Sequence, residues 1–451
     1  MTAPTWRGFP AGFVWGVATS AYQIEGAATA DGKGPSIWDT FSHQPGRTRG
    51  GATGDVAVDH YHRWPEDVRL MAELGLKAYR FSTAWTRVAP TGSGPANPLG
   101  LDFYERLVDG LLAAGIEPYL TLFHYDLPQA LQDMGGWTVR DTAYRFADYA
   151  RVMGERLGDR VSHWITHNEP LVTAFLGHFS GEHAPGLQDP TATFQAGHHL
   201  LLSHGLAYQA LRAAVKLPAT IGITLNLAPV YPASASEADA QAADRFDMLA
   251  NRLSLDPLLR GTYPAELQGL FEFMLADTLQ AGDLAIMNQV DWLGVNYYSR
   301  VVVRYDPDVA FVEASPVQPV GHEYSQMWEI YPTGLHELLT RIWRDYQPAA
   351  EIVVAESGVP VPDGLDADGR VRDERRTRYL SDHLVQLHRA IADGVPVRGY
   401  FVWSLLDNFE WALGYGMRFG LIYVDYDSLV RTIKDSGRWY SQVLAANGLT
   451  A

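Results

Sequence analysis

The chain of 451 residues contains no cysteine. Disulfides, thiolate metal sites, iron–sulfur clusters and cysteine nucleophiles are therefore excluded, and the redox compartment is not readable. Positive charge is also scarce: 35 Lys and Arg stand against 52 Asp and Glu, for a formal charge of −17. A polyanion repels nucleic acid and anionic lipid, so neither is expected as a partner. No apolar run approaches the roughly 18 residues of a membrane span. The opening Met-Thr-Ala-Pro-Thr-Trp-Arg has no charged stretch followed by an apolar one. The expectation is a cytoplasmic protein without signal peptide or membrane segment. A dinucleotide-binding turn is missing too: the nearest candidate, Gly414-x-Gly416, has Phe419 where the third glycine should stand.

Hydrophobic residues make up 47% of the chain, which suits a large core and excludes a disordered chain. At roughly 150 residues per domain the length would suggest three domains, but barrels often run past 250 residues as one. No low-complexity linker divides the chain; Pro45–Gly54 and Tyr305–Ser325 read as surface loops, and residues 1–451 are expected to form one domain. Short apolar runs alternate with helical patterns. The strand candidates are Phe13–Ala21, Ala78–Thr83, Pro118–Phe123, His163–Asn168, Thr220–Leu227, Trp292–Tyr298, Glu351–Glu356 and Arg398–Leu405. They are apolar on both faces, as parallel strands buried on both sides must be. Helical patterns lie at Trp64–Leu74, Asp102–Ala114, Asp141–Leu157, Phe194–Lys216, Ala238–Arg252, Leu335–Tyr346, Glu374–Ala392 and Ser436–Ala446, with stop glycines at Gly75, Gly115 and Gly394. Eight βα units predict an α/β fold, a (β/α)8 TIM barrel with enlarged βα loops.

In such a barrel the active site lies at the C-terminal ends of the strands. Those ends carry Gln23 and Glu25; Arg80 and Ser82; His124, Tyr125 and Asp126; His167, Asn168 and Glu169; Asn296, Tyr297 and Tyr298; Glu356; and Trp403, followed by Asp407, Asn408, Glu410 and Trp411. Polar and aromatic groups gather at one end of apolar strands. Glu169 and Glu356 close the fourth and seventh, and opposed carboxylates can run acid/base and nucleophilic chemistry on an acetal. The aromatic excess, 13 Trp, 23 Tyr and 17 Phe, is mostly core, but part of it suits a pocket for sugar rings. His198, His199 and His204 lack the i, i+4 spacing of a helical metal site and read as helix-face or core residues; Asp59-His60-Tyr61-His62 reads as loop or helix-cap polar groups. No metal or cofactor is expected.

Seven segments, in order, resemble family 1 of the glycoside hydrolases. Phe13-Val-Trp-Gly-Val-Ala-Thr-Ser-Ala-Tyr-Gln-Ile-Glu-Gly26 is similar to that family's N-terminal signature, Thr166-His-Asn-Glu-Pro170 to its acid/base motif and Val353-Val-Ala-Glu-Ser-Gly358 to its nucleophile motif. Arg80-Phe-Ser82, Asp373-x-x-Arg-x-x-Tyr-Leu380, Trp403-Ser-Leu-Leu-Asp-Asn-Phe-Glu-Trp411 and Arg418-Phe-Gly-Leu421 follow the same pattern, from about residue 9 to the neighbourhood of Trp439. The resemblance implies a retaining, exo-acting β-glucosidase for β-glucosides and short β-gluco-oligosaccharides, with Glu169 as acid/base and Glu356 as nucleophile. It implies sugar-binding roles for Gln23, His124, Asn168, Asn296, Tyr298, Trp403, Glu410 and Trp411, with Arg80 supporting Glu356. Those types fit: Gln, Asn, His and Glu match vicinal hydroxyls, an indole covers the C–H face of a sugar, and a cation and a hydroxyl favour a carboxylate nucleophile. Trp328 resembles a leaving-group platform. A covalent intermediate also implies transglycosylation to other alcohols.

Two positions depart from the family's pattern: Ser357 replaces the usual Asn after the nucleophile, and Tyr125 the usual Trp after the sugar-binding His. Glu410-Trp411 argues against a 6-phosphoglycosidase, whose Ser and nearby Lys accept the phosphate that an acidic Glu410 would repel. A β-galactosidase or β-fucosidase, or a catalytically silent carbohydrate-binding relative, are the alternatives.

Overall fold

The computed structural model describes residues 5–451 except 268, 270–273, 310 and 349. Eight strands, β1 (Val14–Ala18), β2 (Ala78–Ser82), β3 (Glu117–Phe123), β4 (His163–Asn168), β5 (Thr220–Asn226), β6 (Trp292–Asn296), β7 (Glu351–Ser357) and β8 (Val397–Trp403), close into one barrel in chain order. Every pairing around the ring is parallel. Alternate strand residues fall into two clusters. Val17, Tyr79, Leu120, Trp164, Ile223, Val295, Val354 and Val402 belong to the larger core, which the helices share. Ala18, Ala78, Tyr119, Ile165, Trp292, Val353 and Phe401 form a second cluster. Burial on both faces is why each strand reads as a short apolar run. Within the second cluster large rings meet small residues: Tyr119 lies 4.9 Å from Phe401, and a Cβ at Gly16 would come within 2.4 Å of that same Phe401 ring.

The longer helices are α1 (His60–Glu73), α2 (Pro98–Ala113), α3 (Asp141–Leu157), α4 (Pro190–Ala214), α5 (Glu237–Asp247), α6 (Leu253–Arg260), α7 (Thr333–Tyr346), α8 (Glu374–Ala392) and α9 (Asp435–Ala446). The stop after α1 is typical. Gly75 takes φ +74°, its N–H reaches the Ala72 carbonyl at 3.0 Å, and the Leu76 N–H reaches Met71 at 3.1 Å. This pair of bonds satisfies two orphan carbonyls and drives buried Leu76 toward β2. α4 begins at Pro190, four residues before the sequence pattern suggests, because the Asp189 carboxylate caps the N–H groups of Thr191 and Ala192 at 2.8 and 3.1 Å. β1 stops at Ala18, and Ala21–Ile24 is a helical turn rather than strand. Nor is Tyr305–Ser325 loop throughout: Ala314–Pro316 pairs antiparallel with Val301–Tyr305, which pairs in turn with Val230–Pro232. Near the chain ends, Trp6–Gly8 pairs antiparallel with Gly448–Thr450.

Candidate active site

Glu169 and Glu356 lie beside irregularities in the strand pairing. The β4–β5 register shifts between Ile165 and Asn168, and Glu169 takes the left-handed region at φ +50°. The β6–β7 register shifts between Val354 and Glu356. Such bulges re-aim side chains at strand ends, and left-handed non-glycine residues concentrate where surrounding structure holds strain at a site. Tyr125, at φ +76°, and Trp411, at φ +48°, share that backbone region. Glu169, Glu356, His124, Tyr125, Asn168, Tyr298, Trp403, Glu410 and Trp411 line one cavity of about 160 Å³. Arg80, Gln23 and Asn296 do not line it; each is buried behind it and bonded to residues that do.

The two carboxylates sit in different company. Glu356 accepts from Arg80 Nη1 through Oε1 and from the Tyr298 hydroxyl through Oε2. Glu169 accepts from Asn296 Nδ2 at 2.6 Å through Oε1 and from the Tyr125 hydroxyl through Oε2. Burial, and then the charge of Glu356, push the Glu169 pKa up to about 7, against the opposing pull of Asn296, Tyr125 and Arg80. Arg80 also donates to Asn168 Oδ1 at 2.5 Å, so one buried guanidinium ties β2 to both carboxylate-bearing strands.

Asn168 Oδ1 accepts from Arg80 and from Asn296 Nδ2, so its amide nitrogen faces His124 Nε2 at 3.1 Å. His124 Nε2 is therefore an acceptor and Nδ1 carries the ring proton. Burial and then the Arg80 charge hold the His124 pKa well below the usual histidine range, so the ring is neutral. Trp403 and Trp411 both stack on His124, with ring centroids 5.8 and 5.9 Å from it. Gln23 is fixed by Ser20 on its oxygen, at 2.6 Å, and by Asn408, the Phe409 carbonyl and Glu410 on its nitrogen, at 3.0, 2.8 and 3.4 Å. Burial, followed by the charges of Glu356 and Glu169, pushes the Glu410 pKa up to about 8.

The mouth also holds groups that the strand-end reading did not single out. Val172, Leu176, Met327 and Leu413 form apolar wall, with Trp328 beside Tyr298 at 4.9 Å. Asn226, at the end of β5, lies at the same rim and was within reach of the strand-end rule. The histidines outside the site are all engaged by protein groups. His198 meets Tyr263 and Asp283 at 3.0 and 2.9 Å, His199 meets the Trp137 carbonyl at 2.9 Å, and His204 meets Thr166 and the Gln289 carbonyl at 2.7 and 2.8 Å. His60 pairs with Asp67, and His62 with Asp59 just before α1.

Two buried carboxylates with unlike partners, set among indoles and amides at the C-terminal mouth of a (β/α)8 barrel, form the layout of a carboxylate-pair glycosidase. The comparisons with known proteins make the class specific: the chain belongs to glycosyl hydrolase family 1, whose model matches residues 6–449. It is 48% identical over 444 residues to beta-glucosidase A of Acetivibrio thermocellus, covering 98% of this chain and 99% of that one. It is 46% identical over 463 residues to a bifunctional beta-D-glucosidase/beta-D-fucosidase of Bifidobacterium breve, covering 97% of this chain and 98% of the relative. The solved family 1 β-glucosidase of Thermotoga maritima superposes with a TM-score of 0.94 at 47% identity, covering 99% of both chains.

Proposed function

We propose that this protein is a retaining β-glucosidase that removes terminal β-D-glucosyl residues from the non-reducing end of β-glucosides and short β-gluco-oligosaccharides. The observation that carries the mechanism is the unlike setting of the two carboxylates. Glu356, oriented by Arg80 and Tyr298, attacks the anomeric carbon, and Glu169 gives its proton to the departing glycosidic oxygen. The carbon–oxygen bond to the leaving group breaks as the ester to Glu356 forms. Esterification removes the Glu356 charge, one of the two influences that raise the Glu169 pKa, so that pKa falls and Glu169 stays ionised, in the form able to accept a proton. It then takes a proton from water, whose oxygen bonds to the anomeric carbon while the ester to Glu356 breaks. The sugar leaves with its configuration kept.

The glucose preference rests on the names of the relatives, and the amide, imidazole and carboxyl groups of Gln23, Asn168, His124 and Glu410 suit vicinal hydroxyls. Trp403 covers one face of the ring, and Trp328 with Met327 flanks the leaving group. The relative named for both glucosidase and fucosidase activity supports a second substrate class, the β-fucosides. Residues 1–451 act as one catalytic domain in this reading, and no cofactor takes part. Among the described residues no helix is long and apolar enough to cross a membrane. Action in the cytoplasm belongs to the same proposal and is tested by cell fractionation.

Proton NMR during the first turnovers tests the mechanism. The first glucose released is the β-anomer, ahead of mutarotation; initial release of the α-anomer overturns the retaining assignment. A crystal structure gives the second check. A retaining pair stands roughly 5–5.5 Å apart, and a gap of about 6.5–9.5 Å indicates an inverting enzyme.

A further inference from the structure

Tyr125 follows His124 at the end of β3, and its buried ring packs against those of His124 and Trp411, each 4.9 Å away. Its hydroxyl sits on Glu169 Oε2, and the Asn168 amide nitrogen reaches the same phenol oxygen at 3.4 Å. The other oxygen of Glu169 is taken by Asn296 Nδ2. Amide N–H groups only donate. The amide of Asn168 can only donate to the phenol oxygen, so the phenolic proton has Glu169 Oε2 as its acceptor. A hydrogen bond donated to a carboxylate favours the charged form. The titratable and charged groups around Glu169 are Arg80 from β2, His124 and Tyr125 after β3, His183 after β4, Tyr298 after β6, Glu356 on β7 and Glu410 after β8. Of these, Tyr125 alone bonds directly to the Glu169 carboxylate.

We propose that Tyr125 is a positioning residue that sets the proton affinity of Glu169, and with it the alkaline limit of hydrolysis for substrates with poor leaving groups. This rests on the reading of Glu169 as the acid/base. With the hydroxyl present Glu169 is the stronger acid, and it loses its proton at lower pH than it would without the phenol.

The test is the pH profile of kcat/KM for phenyl β-glucoside in the full-length protein. Tyr125→Phe removes the donor and keeps the ring; the alkaline limb moves up by about one pH unit, the size expected for losing a hydrogen bond to a charged group. With 2,4-dinitrophenyl β-glucoside, whose leaving group departs unprotonated, the profile stays in place. Site-specific 3-fluorotyrosine at position 125 is a stronger donor of nearly the same size, and it moves the phenyl glucoside limb down. This second variant decides the matter if Tyr125→Phe does not fold. Glu169→Gln separates the two levels of the argument. If its residual phenyl glucoside activity keeps the parental alkaline limb, Glu169 is not the acid and both readings fall. If that limb disappears while the Tyr125 variants keep it in place, only the assignment of Tyr125 is overturned. A uniform loss of rate in Tyr125→Phe at every pH, with no shift, marks a merely structural residue and overturns it as well.

Discussion

Replacing Glu410 by Gln stabilises the protein in alkali and not in acid. Burial and the charges of Glu356 and Glu169 raise the Glu410 pKa from the ordinary 4.5 to about 8. Below about pH 4.5 the carboxyl is neutral in both the folded and unfolded chains, and it contributes no pH dependence. Between 4.5 and 8 the folded state holds a proton that the unfolded chain has released. Stability therefore falls as pH rises through that window, and the full penalty is present above it. A shift of about 3.5 pH units at about 1.4 kcal/mol each sets an upper scale of roughly 5 kcal/mol. Water reaching the half-open cavity reduces that to a few kcal/mol. Gln keeps the shape and the hydrogen-bonding oxygen but cannot carry the charge. Melting temperatures of parent and Glu410→Gln, compared at pH 5 and pH 8.5, should differ by several degrees more at pH 8.5, in favour of the variant. The same variant loses sugar turnover, since the amide puts an obligate NH2 donor where the carboxyl oxygens can accept from sugar hydroxyls. An equal difference at both pH values, or a parent more stable at pH 8.5, refutes the assignment of a costly buried charge.

Glu169→Gln should cripple phenyl β-glucoside hydrolysis while sparing the first step on 2,4-dinitrophenyl β-glucoside, whose phenolate leaves without a proton. Azide, which attacks without a general base, then restores turnover and yields β-glucosyl azide; equal loss on both substrates with no azide rescue removes Glu169 from the acid/base role. Lys434→Met should lower stability by about 3–5 kcal/mol, read as a fall in the thermal midpoint. The buried Lys434 ammonium lies 2.8 Å from both Asp363 and Asp407, which join the loops after β7 and β8, and Met leaves both carboxylates short of a cation. An unchanged midpoint means that Arg376 and Arg418, each paired with one of those carboxylates, suffice without it.

All eight barrel strands were legible in the sequence because burial on both faces makes each a short, largely apolar run. Their ends were less so. Hydrophobicity does not stop where β1 stops: Ala21, Tyr22 and Ile24 are buried like Val17, yet the chain turns into a short helix there and carries Gln23 to Asn408 and Glu410. The start of α4 had a readable signal in Asp189-Pro190, a capping residue followed by a residue that suits the first helical position. The strand Ala314–Pro316 had none, since three residues are too few to show a period of two.

The candidate site divides along the same line. Residues carried by strand ends were legible, because a barrel delivers every strand terminus to one mouth and only the residue type remains to be read. Asn226 meets that condition and belongs with them. Met327, Leu413 and Leu176 come from connections whose path no periodicity sets, so no periodicity announces that they line the same cavity as the two carboxylates. Tyr125 stands between the cases. Its place after His124 and its departure from the family's tryptophan are visible in the chain. Its partner is not, because the hydroxyl reaches Glu169 only through a backbone turned to φ +76°, in a region that a tyrosine rarely enters and that no local pattern signals. The contact is made by the meeting of two strand ends, β3 and β4, whose register is a property of the closed barrel. A residue type can therefore be read from one segment, while the proton affinity of Glu169 depends on groups delivered by β2, β3, β6 and β7 together.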